Sequence, residues 1–179
     1  MKMQERQGEH VTTGAERSLA IEHWLLMAAE DWGRARREWR TEGVALLRCG
    51  GLFGVVRISA EVVRTAAGAE DVTAVDHFLA QALLGGPVFL DQELLRYYAL
   101  VGASTGCRQE WARARDDVEF MGVGHYLGVP ALDATTPKAR RYWCVEMGSA
   151  GELAPGDAVA RLVRVGRSKI ARGDRQLGG

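Results

Sequence analysis

The apolar pattern starts as a helix. Ile21, Trp24, Leu25 and Ala28 fall at i, i+3, i+4 and i+7, one face of a helix that begins near Glu16. Ala29-Glu30-Asp31 breaks that stripe, and a second short helix is expected from Trp32 to Trp39. The spacing then changes to short continuous runs. Val44 to Leu47 and Phe53 to Ile58 flank Cys49-Gly50-Gly51, so Gly43 to Ser59 predicts a β-hairpin at the centre of a sheet. Ser59 can cap a following helix that carries Glu61 in its first turn and Val62, Val63 and Ala66 on its apolar side, and Gly68 ends it. Asp71 opens another helix to about Leu84, with Val72, Val75, Phe78, Leu79 and Ala82 on one stripe, and Gly85-Gly86-Pro87 stops it.

The second half reads mostly as strands. Val88 to Leu90 and Leu95 to Val101 are joined by the turn Asp91-Gln92-Glu93. Thr105 to Ala114 predicts a short helix carrying Trp111, and strands follow at Val118 to Met121, Tyr126 to Val129 and Arg141 to Met147. Pro155 suits the first turn of a C-terminal helix that turns Leu162 and Val163 inward and fades after Gly166. The expected fold is α+β: a mostly antiparallel sheet with N-terminal helices and a C-terminal helix. Residues 1–14 read as a flexible N-terminus, 15–166 as a single domain and 167–179 as a basic tail.

Composition narrows the classes of function. A chain of 179 residues is one domain by length and large enough for a real core. Its formal net charge is zero, so no global field draws it to nucleic acid or membrane, and any such binding needs a local patch. Lys2, Lys138 and Lys169 are the only lysines, so the positive charge is nearly all arginine, as GC-rich codons favour. Cys49, Cys107 and Cys144 have no zinc-like spacing and read as reduced thiols. No apolar run is long enough to cross a bilayer and residues 1–10 are too polar for a signal peptide, so the expected location is cytoplasmic, with no membrane partner.

Several residues invite a chemical reading beside a plain one. Arg34, Arg36, Arg37 and Arg40 are a solvated face balanced by nearby acids, or a phosphate-contacting edge. Arg161, Arg164 and Arg167 recur along the C-terminal helix, with Lys169 beyond, as a nucleic-acid patch or as ordinary dipole compensation. Tyr97, Tyr98, Tyr126, Tyr142 and Trp143 are stacking surfaces or core. His125 is well placed on a strand but lacks a spaced metal partner.

The order of a Trp39-bearing helix, the Gly43–Ser59 pair of strands, the glycine-rich run Gly122-Val123-Gly124-His125-Tyr126-Leu127-Gly128-Val129-Pro130 and the Tyr142-Trp143 strand resembles one family. It is the N-terminal domain of bifunctional DNA primase/polymerases, in the archaeo-eukaryotic primase superfamily, and the resemblance covers about Trp32 to Met147. The family carries Asp-x-Asp at the end of the second strand, then Gly-Gly-x-His, then a third acid before the glycine-rich strand. Here the first two acids become Arg57 and Ser59, and the third is kept as Glu119. The Gly-Gly-x-His positions become Leu94, Leu95, Arg96 and Tyr97, the arginine after the third acid becomes Met121, and Pro130 is followed by Ala131 and Leu132.

The resemblance therefore implies a primase-polymerase-like fold that has lost most of the carboxylates needed to hold two divalent cations. Its implied function is a non-catalytic nucleic-acid or nucleotide-binding module in DNA replication or maintenance. Arg57, Ser59, Arg96, Tyr97 and His125 are the candidate binding residues and Glu119 the one candidate catalytic acid. Two alternatives stand beside it. One is an active primase/polymerase using magnesium or manganese at a remodelled site with Asp91 or Glu93; the other is a regulatory domain with a protein partner. Arg57 either binds a phosphate through its planar fork or pairs with Glu119 and fills the old site.

Overall fold

The computed structural model describes residues 13–112 and 116–177. The flexible segment expected at the N-terminus lies almost wholly outside them, as does the end of the short helix expected to Ala114. Helix α1 (Gly14–Leu26) starts on a reciprocal cap, in which Thr13 accepts from the Glu16 amide and Glu16 accepts from the Thr13 amide. Helix α2 (Trp32–Glu42) is capped by Asp31 and ends where Gly43, at φ 72, takes a left-handed turn into strand β1 (Val44–Arg48). Strand β2 (Gly54–Ser59) runs directly into α3 (Ala60–Ala67), and α4 (Val72–Ala82) follows with Asp71 as its cap. Strands β3 (Val88–Asp91), β4 (Arg96–Val101), β5 (Val118–Met121), β6 (Tyr126–Pro130) and β7 (Arg141–Val145) precede the last helix, α5 (Gly156–Leu177).

The sheet is antiparallel throughout, in the order β5-β2-β4-β3-β7, and β1 pairs with β6 in a separate two-stranded ribbon. The α+β expectation with its antiparallel sheet and C-terminal helix therefore holds. The hairpin does not. β1 and β2 are neighbours in sequence but not in a ladder, and each finds its partners later in the chain. The glycine turn between them still forms, with the Gly50 amide donating to the Phe53 carbonyl at 2.7 Å. It carries the chain from one sheet to the other.

Three layers result. Val56, Ile58, Tyr97, Ala99 and Tyr142 turn to one face of the five-stranded sheet and pack under α3, α4 and α5. Val55, Phe89, Tyr98, Leu100 and Trp143 turn to the other, beneath α1 and the β1–β6 ribbon. Both faces are covered along most of β2, β3 and β4, so those strands read as near-continuous apolar runs without alternation. Two indoles fix the ribbon side: Trp39 donates to the Val129 carbonyl at 3.0 Å and Trp143 to the Ala131 carbonyl at 3.2 Å.

Two helical expectations change. The Thr105 helix reduces to a 3-10 turn at Ala103–Cys107, and Trp111 is held by its indole N–H donating to the Thr105 carbonyl at 2.9 Å. The C-terminal helix does not fade after Gly166 but runs on to Leu177, so the expected basic tail is largely helix. Gly166 is a close-approach residue, since a β-carbon there would meet the Val62 carbonyl oxygen at 2.4 Å. It lets α5 lie against α3.

Candidate functional site

The end of β2 is where the chain's functional question concentrates. Arg57 faces Glu119 across the β2–β5 ladder and Tyr98 across the β2–β4 ladder. Its guanidinium reaches the Glu119 carboxylate at 2.8 Å, with both side chains about 70% withdrawn from solvent. The Arg57 Nε is buried with no hydrogen-bond partner, so the carboxylate satisfies one edge of the guanidinium and leaves another orphaned.

Arg96 lies on the same face, opposite Ser59 in the ladder, and among the described residues its guanidinium reaches only the carbonyl of Leu95, at 3.3 Å. Tyr98 marks the centre of the group. Burial raises the pKa of its hydroxyl and the Asp91 charge adds to this, while the guanidinium groups of Arg141, Arg57 and Arg96 pull it back. The guanidinium groups of Arg141, Arg57 and Arg96 and the Asp91 carboxylate thus act on one phenol, and beside Ser59 and Arg96 a concavity is lined by Arg64 and Arg96 together with Glu61, Glu70, Asp116 and Asp117.

The other acids are committed elsewhere. Asp91 is fully buried and accepts from the Glu93 and Leu94 amides at 3.0 Å each and from Arg141 Nε at 2.6 Å. Burial alone would raise its pKa, but these donors more than offset it and hold the carboxyl below its usual range. Glu93 pairs with Arg140 at 2.7 Å on the surface. Neither carboxylate joins Glu119. Divalent cations do not fit this constellation, because Glu119 is its one acid beside Arg57 and Ser59 and is paired with the Arg57 guanidinium. Among the described residues there is no group of three histidine, cysteine or acidic side chains arranged to hold a metal.

The remaining candidates separate. Ser59 spends its hydroxyl capping α3, accepting from the Val62 amide at 3.3 Å. Tyr97 is not part of the face, because strand alternation turns it under α3 and α4, where it is 1% exposed. There it joins Tyr142, whose hydroxyl donates to Asp76 at 3.1 Å, and Cys144 in a half-buried polar pocket where desolvation raises the pKa of all four groups. His125 is exposed in the turn before β6, at the far end of the ribbon from Arg57, with its carbonyl accepting from the Cys49 amide.

The basic stripe on α5 is mostly consumed. Arg164 pairs with Glu110, Arg167 clamps Asp117 at 2.6 and 3.1 Å, and Lys169 donates to the Ala66 carbonyl at 2.9 Å. These contacts dock the helix, which leaves Arg161 alone of the four without an internal partner among the described residues. Arg141 is the member of the site that the sequence concealed, and Tyr98, read from the sequence as a stacking surface or core, was not placed beside Arg57. In β4 both Arg96-Tyr98-Leu100 and Tyr97-Ala99-Val101 look inward-facing, so nothing marks which set shares a face with Arg57.

No family model, curated protein or solved structure matches this chain. What it does must be argued from its own residues. Among those described, no helix is long and apolar enough to cross a membrane.

Proposed function

We propose that this chain is a non-catalytic, primase-polymerase-like domain that binds a nucleotide or the phosphates of a nucleic-acid single strand, in DNA replication or maintenance. The observation that carries the reading is the Arg57–Glu119 pair at the strand end, with Arg96 beside it on the same face and without an acidic partner among the described residues. The Arg96 guanidinium supplies positive charge without a metal ion, and its planar fork suits phosphate oxygens. Arg96 is the contacting residue, and Arg57, neutralised by Glu119, is fixed behind it.

A detail of the backbone supports the family resemblance. Leu95 stands at φ 51, a left-handed conformation that a leucine disfavours and a glycine takes freely. The family's Gly-Gly-x-His, matched to Leu94 through Tyr97, has its second glycine at Leu95, while its histidine falls on Tyr97, which is buried away from Arg57.

The test is fluorescence polarisation of a labelled single-stranded oligonucleotide and of a labelled nucleoside triphosphate, across a salt series, with and without magnesium. Binding is expected to be metal-independent and to weaken steeply with salt, and Arg96→Ala should weaken it about tenfold at fixed salt. Absence of binding under every condition would sink the reading. Binding that needs magnesium would overturn its non-catalytic half and call for a primer-extension assay.

A further inference from the structure

We infer, resting on the phosphate contact proposed for Arg96, that the concavity beside it selects a nucleotide unit with one phosphate and an amino-bearing base over a nucleoside triphosphate. The concavity encloses about 480 Å³, within the size range of small-molecule sites, where the starts of α3 and β4 meet the residues before β5. One side of it offers donors. Arg96 and Ser59 stand opposite each other in the β2–β4 ladder, and both line the space. Ser59 is 8% exposed; its Oγ accepts from the Val62 amide, and among the described residues its own O–H has no acceptor. A buried hydroxyl with an undonated proton, beside an arginine without a carboxylate partner among the described residues, complements an acceptor-only group. The positive end of α3 favours an anion at the same place.

Charge limits how much anion fits. Asp117 is clamped by Arg167, and Glu70 lies 3.5 Å from Arg64, so these charges cancel in pairs. Arg96 then stands as one cation against Glu61 and Asp116, which are exposed and have no basic partner among the described residues. One phosphate satisfies Arg96 and Ser59. Each further phosphate meets carboxylates with no free cation to offset them. The same carboxylates are acceptors that call for a donor on the ligand. The exocyclic amino group of cytosine is such a donor, whereas thymine and uracil carry an acceptor oxygen at that position.

The test is isothermal titration calorimetry of the whole protein at low salt, without divalent metal. The ligands are cytidine monophosphate, uridine monophosphate, cytidine triphosphate and short strands of deoxycytidine and of deoxythymidine. Cytidine monophosphate should bind about fivefold more tightly than the other two nucleotides, and the deoxycytidine strand more tightly than the deoxythymidine strand by a similar factor. Arg96→Ala should weaken every ligand about tenfold. Glu61→Gln combined with Asp116→Asn keeps the shape, removes both charges and adds amide donors, so it should relieve the triphosphate's handicap and shift preference toward uridine. Both side chains are exposed, so the thermal midpoint should move little and the changed selectivity is then not unfolding. Equal binding of the two monophosphates, tighter binding of the triphosphate, or selectivity unchanged in the double variant overturns the inference and leaves Arg96 a phosphate contact. No binding of any of the five ligands sinks the phosphate reading and the inference together. With the cytosine preference kept, a strand bound far more tightly than the monophosphate supports the inference and makes a nucleotide within a strand the occupant. Equal affinities support it with the free nucleotide as occupant.

Discussion

At the scale of single residues, what distinguishes this molecule is an arginine set into the middle strands of its five-stranded sheet. Arg57 is tolerable there because Glu119 stands opposite it on the next strand, and each side chain makes the other's partial burial affordable. Leu95 shows the opposite situation, a residue whose backbone the fold strains. Leu95→Gly should raise stability by about 1 kcal/mol in urea titration, since the left-handed penalty removed exceeds the extra freedom given to the unfolded chain. The cysteines offer an independent check on packing. Burial pushes the Cys49 thiol up to about 11 and the Cys144 thiol higher still, whereas Cys107 is exposed. One thiol should therefore react with an alkylating reagent at neutral pH in the native protein, and all three after denaturation, with mass spectrometry counting the adducts.

At the scale of elements, caps and periodicity were legible because they are local. Ser59 and Asp71 each announce a helix by a side chain acting three residues ahead, and each does cap one, as do Thr13 and Asp31, which the sequence reading passed over. Pairing was not legible. The Gly50-Gly51 turn has the chemistry of a hairpin, and only the distant β6 reveals that β1 belongs to another sheet. Parity in β4 was hidden for a related reason, since a strand buried on both faces shows no alternation to read. The long-range partners of the α5 arginines left no trace in spacing, so anchoring residues resembled a binding patch. Their anchoring role can be measured. Arg167→Ala should cost roughly 1–2 kcal/mol, because it removes a two-pronged, half-buried clamp on Asp117 together with a bond to the Glu110 carbonyl. Truncation after Gly166 should cost at least as much, while removal of residues beyond Ala171 should cost little by thermal melting.

At the scale of the whole molecule, Asp91 and Arg141 join the two sheets. The Arg141 guanidinium binds Asp91 in the five-stranded sheet through Nε and the Gly128 carbonyl of the ribbon through Nη1, at 3.0 Å. Asp91→Ala leaves that guanidinium half-buried without its anion, and a loss of about 3 kcal/mol is expected in denaturant titration. Acid should act in the same direction. Asp91 and Asp117 are both held below the usual carboxylate range, so the stability they contribute is present above about pH 4 and is lost as pH falls through their folded values. Asp76 works against them: desolvation raises its pKa, so its contribution is largest in acid and declines as pH rises through the raised value. Asp76→Asn should remove that decline and leave the acid transition in place, as melting curves across a pH series would show. The separation of β1 from β2 also sets a timetable during synthesis. When β1 leaves the ribosome its only ladder partner, β6, has not been made, and β2, β3 and β4 can assemble against α3 and α4 long before Pro130 appears. The segment up to Arg48 therefore waits with Ala45 and Leu47 unprotected, and it is this nascent stretch, rather than the central sheet, that a chaperone would have most time to meet.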